Sequence, residues 1–139
     1  MLHAALILAL AIDGKTPCNS AFLQDSWALL ATAHYGQSPY EQAAWAVANP
    51  DGRVTFVMWP FNHEARAARF RGAIPANIVA IVHTHPNAHP MPSYDDRLTA
   101  KRLRIPVYVV TRSGLTVTNG IRTDYVIAGD WNPELCTRR

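Results

Sequence analysis

The chain has 139 residues, nearly half of them hydrophobic and only 17% charged, with a formal net charge of +3. That balance excludes a disordered chain, and the length suits one domain, 1–139, with room for a core. The modest positive charge comes without aromatic interleaving or a nucleic-acid motif, which argues against nucleic-acid binding.

Residues 1–12 support two readings. Ala4 to Ile12 is apolar but too short to span a bilayer. It resembles the core of a signal peptide with a small-x-small site at Ala9-Leu10-Ala11, although only His3 stands where basic residues are expected. It equally reads as a buried strand ending at Asp13-Gly14. The compartment stays open accordingly, cytoplasmic or exported. An exported chain could join Cys18 to Cys136; in the cytosol both are expected as thiols.

Ser20 to Tyr35 is predicted as the first helix, with Ser20 as N-cap, Phe22, Leu23, Trp27, Leu30 and Ala31 at helical spacing, His34 at its end and Gly36 as the stop. Tyr40 to Ala48 reads as a strand. Asn49-Pro50-Asp51-Gly52 then turns it into a second strand, Arg53 to Trp59. Two carboxylates near this hairpin are candidates for chemistry: Glu41, which opens the strand, and Glu64 beside His63, for which a solvated loop is the alternative. Basic clusters at Arg66, Arg69, Arg71 and at Arg97, Lys101, Arg102, Arg104 read as solvated helix faces, or as a surface for an acidic partner.

Ile78 to Val82 is a short β-branched run, the mark of a buried strand. It runs into His83-Thr84-His85-Pro86, and residues two apart on a strand share a face. His83 and His85 can therefore converge on one metal ion. After Pro90 and Pro92, Ser93 reads as an N-cap. Asp96 stands in the capping-box position of a helix running to about Arg104. Asp96 would face back toward the strand end and complete a three-ligand site. Catalytic zinc sites keep a position open for water, whereas structural ones usually have four protein ligands. His89 lies in the intervening loop, as a further ligand or as an exposed side chain. Pro106 then precedes a buried strand, Val107 to Thr111. Ser113-Gly114 turns it into Leu115 to Thr118, and Asn119-Gly120 leads to a last strand within Ile121 to Ala128. The order predicts an α+β, three-layer α/β/α fold around a mixed sheet.

His83-x-His85-Pro86 followed by Ser93-x-x-Asp96, with the Asp eleven residues past the second His, resembles the motif of the JAMM (JAB/MPN+) zinc metalloproteases. The likeness extends over roughly Phe22 to Thr118. Pro39-Tyr40-Glu41 resembles the segment that carries that family's catalytic glutamate. The resemblance implies a JAB/MPN-like fold, similar in architecture to cytidine deaminases. It implies one zinc per chain on His83, His85 and Asp96, Glu41 as general base, and Ser93 as donor to the developing oxyanion. The implied reaction is hydrolysis of a peptide or isopeptide bond, on a peptide or a ubiquitin-like conjugate. The chain has no room for the long insertions of ubiquitin-specific members, which points to a small prokaryotic peptidase or deconjugase. The alternatives are a non-catalytic MPN-type interaction scaffold and a metal-binding module without hydrolysis. A Cys-x-x-Cys pair of the deaminase kind is absent.

Overall fold

The computed structural model describes residues 21–61 and 68–133. The expectations for residues 1–12, Cys18, Ser20, His63, Glu64, Arg66 and Cys136 lie outside them.

Helix α1 spans Ala21–Thr32 and buries Phe22, Leu23, Trp27, Leu29 and Leu30 on one side. It ends three residues before the expected Tyr35. His34, Tyr35 and Gly36 take left-handed φ of 52°, 55° and 86°, which an α-helix cannot contain. They form a short 3₁₀ turn, His34–Gly36, and the His34 side chain is exposed.

Six strands follow: β1 Ala43–Ala48, β2 Val54–Met58, β3 Ile78–Thr84, β4 Val107–Thr111, β5 Gly114–Thr118 and β6 Thr123–Ala128. They make one mixed sheet in the order β2-β1-β3-β4-β5-β6. Only β3 and β4 are parallel; every other neighbouring pair is antiparallel. Parallel neighbours need a crossover. Here it carries the loop after His85 and helix α2, Tyr94–Leu103, which closes on Arg104 in the left-handed region.

Strand β1 starts at Ala43, not Tyr40. The Gln42 amide donates to the Thr84 hydroxyl (3.0 Å) while Thr84 N–H donates to the Gln42 carbonyl (2.9 Å), so a side chain replaces the next rung of the ladder. Glu41 is thereby released from the sheet and free to turn toward the β3 end. At the far hairpin Gly120 is required by space as well as by its φ of 95°: a Cβ there would lie 2.6 Å from the Arg97 carbonyl of α2.

Strand alternation divides the core. Ala44, Ala46, Ala80, Val82, Tyr108, Val110, Leu115 and Val117 pack with α1. Trp45, Ile81 and Val107 pack with Ala100 of α2, backed by Trp59 and Phe70. A helix on each face gives the expected three-layer α/β/α arrangement. Covered on both sides, β3 is buried from Ala80 to Thr84. His83 follows Ile81 by two residues, so it lies on the face covered by α2, the helix that carries Asp96. Among the described residues, no helix is long and apolar enough to cross a membrane.

Candidate metal centre

His83 is the penultimate residue of β3, and His85 follows where the strand gives way to the loop. Both rings are nearly inaccessible, with 4% and 7% residue exposure. Their Nε2 atoms stand 3.1 Å apart. Asp96, in the first turn of α2, sets Oδ1 3.0 Å from His83 Nε2 and Oδ2 3.1 Å from His85 Nε2. Three side chains, from β3, the loop that follows it and α2, therefore meet pairwise at close to 3 Å.

The orientation of each ring is fixed from behind. His85 Nδ1 donates to the His89 carbonyl at 3.0 Å. His83 is hydrogen-bonded to the Tyr108 backbone; with Nε2 turned to Asp96, this bond uses the other ring nitrogen. In neutral imidazoles both Nε2 atoms then carry lone pairs, and these face each other and a carboxylate. Such an arrangement is repulsive unless a proton or a cation lies among them. Ligand atoms in a tetrahedral zinc site with bonds of 2.0–2.1 Å lie about 3.3 Å apart. The donor set and its spacing thus fit a divalent ion, and the carbonyl-anchored rings are the support such ligands require.

Asp96 is held by the capping box expected from the sequence. Ser93 N–H donates to Asp96 Oδ2 (2.7 Å) and Asp96 N–H donates to Ser93 Oγ (3.1 Å). Ser93 is exposed and keeps its hydroxyl proton for another partner.

Glu41 also reaches the imidazole pair, with Oε1 3.9 Å from His85 Nε2. Its carboxylate is bound by the Ala68 backbone, which donates to it. Burial pushes the Glu41 carboxyl up from its ordinary value; the two imidazoles oppose this, and the Asp96 charge adds to it. Ligand atoms of Glu41, His83 and His85 all lie within 4.8 Å of one another, so these three residues can hold a metal ion. Glu41 and Asp96 therefore both lie beside one imidazole pair.

The site faces an open groove of about 740 Å³ lined by Glu41, Arg69, His85, Ser93, Asp96 and Arg102. A narrow recess of about 60 Å³ lies behind it, against Trp59, Ile81 and Val107. The recess is also lined by Glu41, His83 and Asp96, so Glu41 and Asp96 border both spaces.

All five residues singled out from the sequence meet here: Glu41, His83, His85, Ser93 and Asp96. The His89 side chain is exposed, and its contribution is the backbone carbonyl that orients His85. The supporting groups (the His89 and Tyr108 carbonyls, the Ala68 amide and the Thr84 hydroxyl) had no individual signal in the sequence. The general need of a ligating histidine for an acceptor behind it was the one available hint.

Fold and donor set together define a class, that of α+β domains with a candidate cation site at the end of the parallel strand pair. The chain belongs to the family of prokaryotic homologues of the JAB domain, which it matches over residues 24–124. The match runs from α1 into β6 and takes in every residue of the site. Among curated proteins, none matches the chain.

Proposed function

We propose that this protein is a zinc-dependent hydrolase of peptide or isopeptide bonds. The convergence of His83 Nε2, His85 Nε2 and the Asp96 carboxylate at 3.0–3.1 Å, with a second, half-buried carboxylate beside them, carries this reading. His83, His85 and Asp96 would hold the ion. Glu41 is the general base rather than a third ligand in place of Asp96. It stands farther from the imidazoles, and the Ala68 backbone holds it separately.

Zinc, when bound, supplies a Lewis acid that polarises both water and a carbonyl oxygen. Glu41 accepts the proton of water as the oxygen adds to the carbonyl carbon, then returns it to the amine nitrogen as the C–N bond breaks. Burial pushes its carboxyl up, which makes it a stronger proton acceptor than an ordinary glutamate. Ser93 donates its hydroxyl hydrogen to the carbonyl oxygen as negative charge develops there. The substrate chain lies along the open groove, between the Arg69 segment and α2.

A cleavage screen of isopeptide-linked, linear and cell-wall peptides tests the proposal, with zinc-loaded wild type and Glu41→Gln as the blank. Cleavage of at least one class by wild type and of none by the variant is expected. A zinc-loaded wild type that cleaves nothing would leave a metal-binding module.

A further inference from the structure

We propose that Thr116, two strands away from the metal ligands, is a positioning residue that fixes the direction of the His85 imidazole. Residues His83, Val109 and Thr116 form one cross-strand row, through the pairings His83↔Val109 and Val109↔Thr116. Thr116 is fully buried, and its neighbours Leu115 and Val117 belong to the opposite core beneath α1. Its side chain therefore lies on the face that carries the site. There its hydroxyl donates to the Pro90 carbonyl at 2.5 Å.

Pro90 directly follows His89, whose carbonyl receives the proton of His85 Nδ1. Thr116 thus tethers the peptide adjoining the one that aims the ring. The loop between needs such a tether. Asn87 and Ala88 both adopt left-handed φ, 60° and 55°, a conformation that persists only where the surroundings over-determine it. The second restraint is Gly36, whose φ is 86°; a Cβ there would stand 3.4 Å from the His85 carbonyl and 3.6 Å from the Ala88 amide. The loop runs close beside the Gly36 turn and is tied by the Thr116 hydroxyl. Removal of that hydroxyl leaves the Pro90 carbonyl without its partner, lets the His89 carbonyl swing, and frees the imidazole to turn away from the ion.

This inference rests on the metal site proposed above for one readout and on the metal-free hydrogen bond for the other. The test compares wild type, Thr116→Val and Thr116→Ser, with Thr116→Ala in place of the valine variant if that does not fold. In metal-free protein, nitrogen-15 NMR follows the exchange of the His85 Nδ1 proton. In parallel, zinc affinity is measured by competition with a chelator. The valine variant is expected to speed proton exchange and to weaken zinc by about 10–100-fold, as loss of support behind a ligand typically does, while the serine variant restores both. Valine with wild-type exchange and affinity would overturn the proposal. So would serine failing as badly as valine. Wild type that takes no zinc would defeat the hydrolase reading, and the exchange rates would still decide the role of Thr116.

Discussion

His83 Nε2 and Asp96 Oδ1 approach to 3.0 Å, although one side chain leaves a strand and the other the first turn of a helix. The contact perturbs both groups. Burial alone would push the Asp96 carboxyl up, but the His83 charge and hydrogen bonds from His83, His85 and the Ser93 amide hold it well below the usual carboxylate range. Burial alone would push His83 down, but the Asp96 charge and hydrogen bond, with Glu41 behind them, raise it above 6.5.

The sign of the resulting pH dependence follows for metal-free protein. His83, raised in the folded state, contributes stability that is fully present below 6.5 and lost as pH rises through its higher folded value. Asp96, lowered, contributes stability that is present above 3.8 and lost as pH falls toward its folded value. Metal-free protein should therefore melt at a lower temperature at pH 8 than at pH 6. Zinc should invert the order, since protons compete with the ion for both imidazoles and binding weakens on acidification. Thermal melts at the two pH values, with chelator and with zinc, check both signs.

Glu41→Gln separates base from ligand. If Glu41 moves protons, the variant keeps zinc and loses about 10²–10⁴-fold in cleavage rate. Zinc content and turnover measured on the same preparation check it. A large loss of zinc would instead place Glu41 among the ligands.

Ser93 serves the helix and, as proposed, the reaction. Ser93→Ala should cost about 1 kcal/mol through the lost N-cap and about 10²–10³-fold in rate through the lost donor. Ser93→Asp keeps a capping acceptor without the hydroxyl proton. It should recover the stability and not the rate, as denaturant unfolding and turnover will show.

His83→Ala and Asp96→Ala should each abolish stoichiometric zinc binding, because either change leaves two of the three proposed ligands. Elemental analysis after dialysis checks this. His89→Ala, which keeps the backbone carbonyl on His85, should retain the metal.

Four of the side chains that meet at the candidate site sit in local patterns with a fixed geometric meaning, whereas Glu41 stands out only through the family resemblance of Pro39-Tyr40-Glu41. His83 and His85 are two apart at the end of a β-branched run, and Ser93 and Asp96 hold capping-box spacing. The continuous β-branched run of β3 marks a buried strand, and the Asn119-Gly120 turn marks the last hairpin. What stayed hidden depends on backbone groups, which look alike at every residue. The early end of α1 comes from three consecutive left-handed residues, two of which are not glycine. The late start of β1 comes from a long-range bond between Gln42 and the Thr84 hydroxyl. The tie from Thr116 to Pro90 joins residues 26 apart, and no local pattern announces it.

The most direct test of the metal centre is a crystal of zinc-loaded protein measured at the zinc absorption edge. The expected result is one anomalous peak about 2.0–2.1 Å from His83 Nε2, His85 Nε2 and an Asp96 oxygen, with Glu41 outside bonding distance. A peak elsewhere, or none among these side chains, would contradict the account.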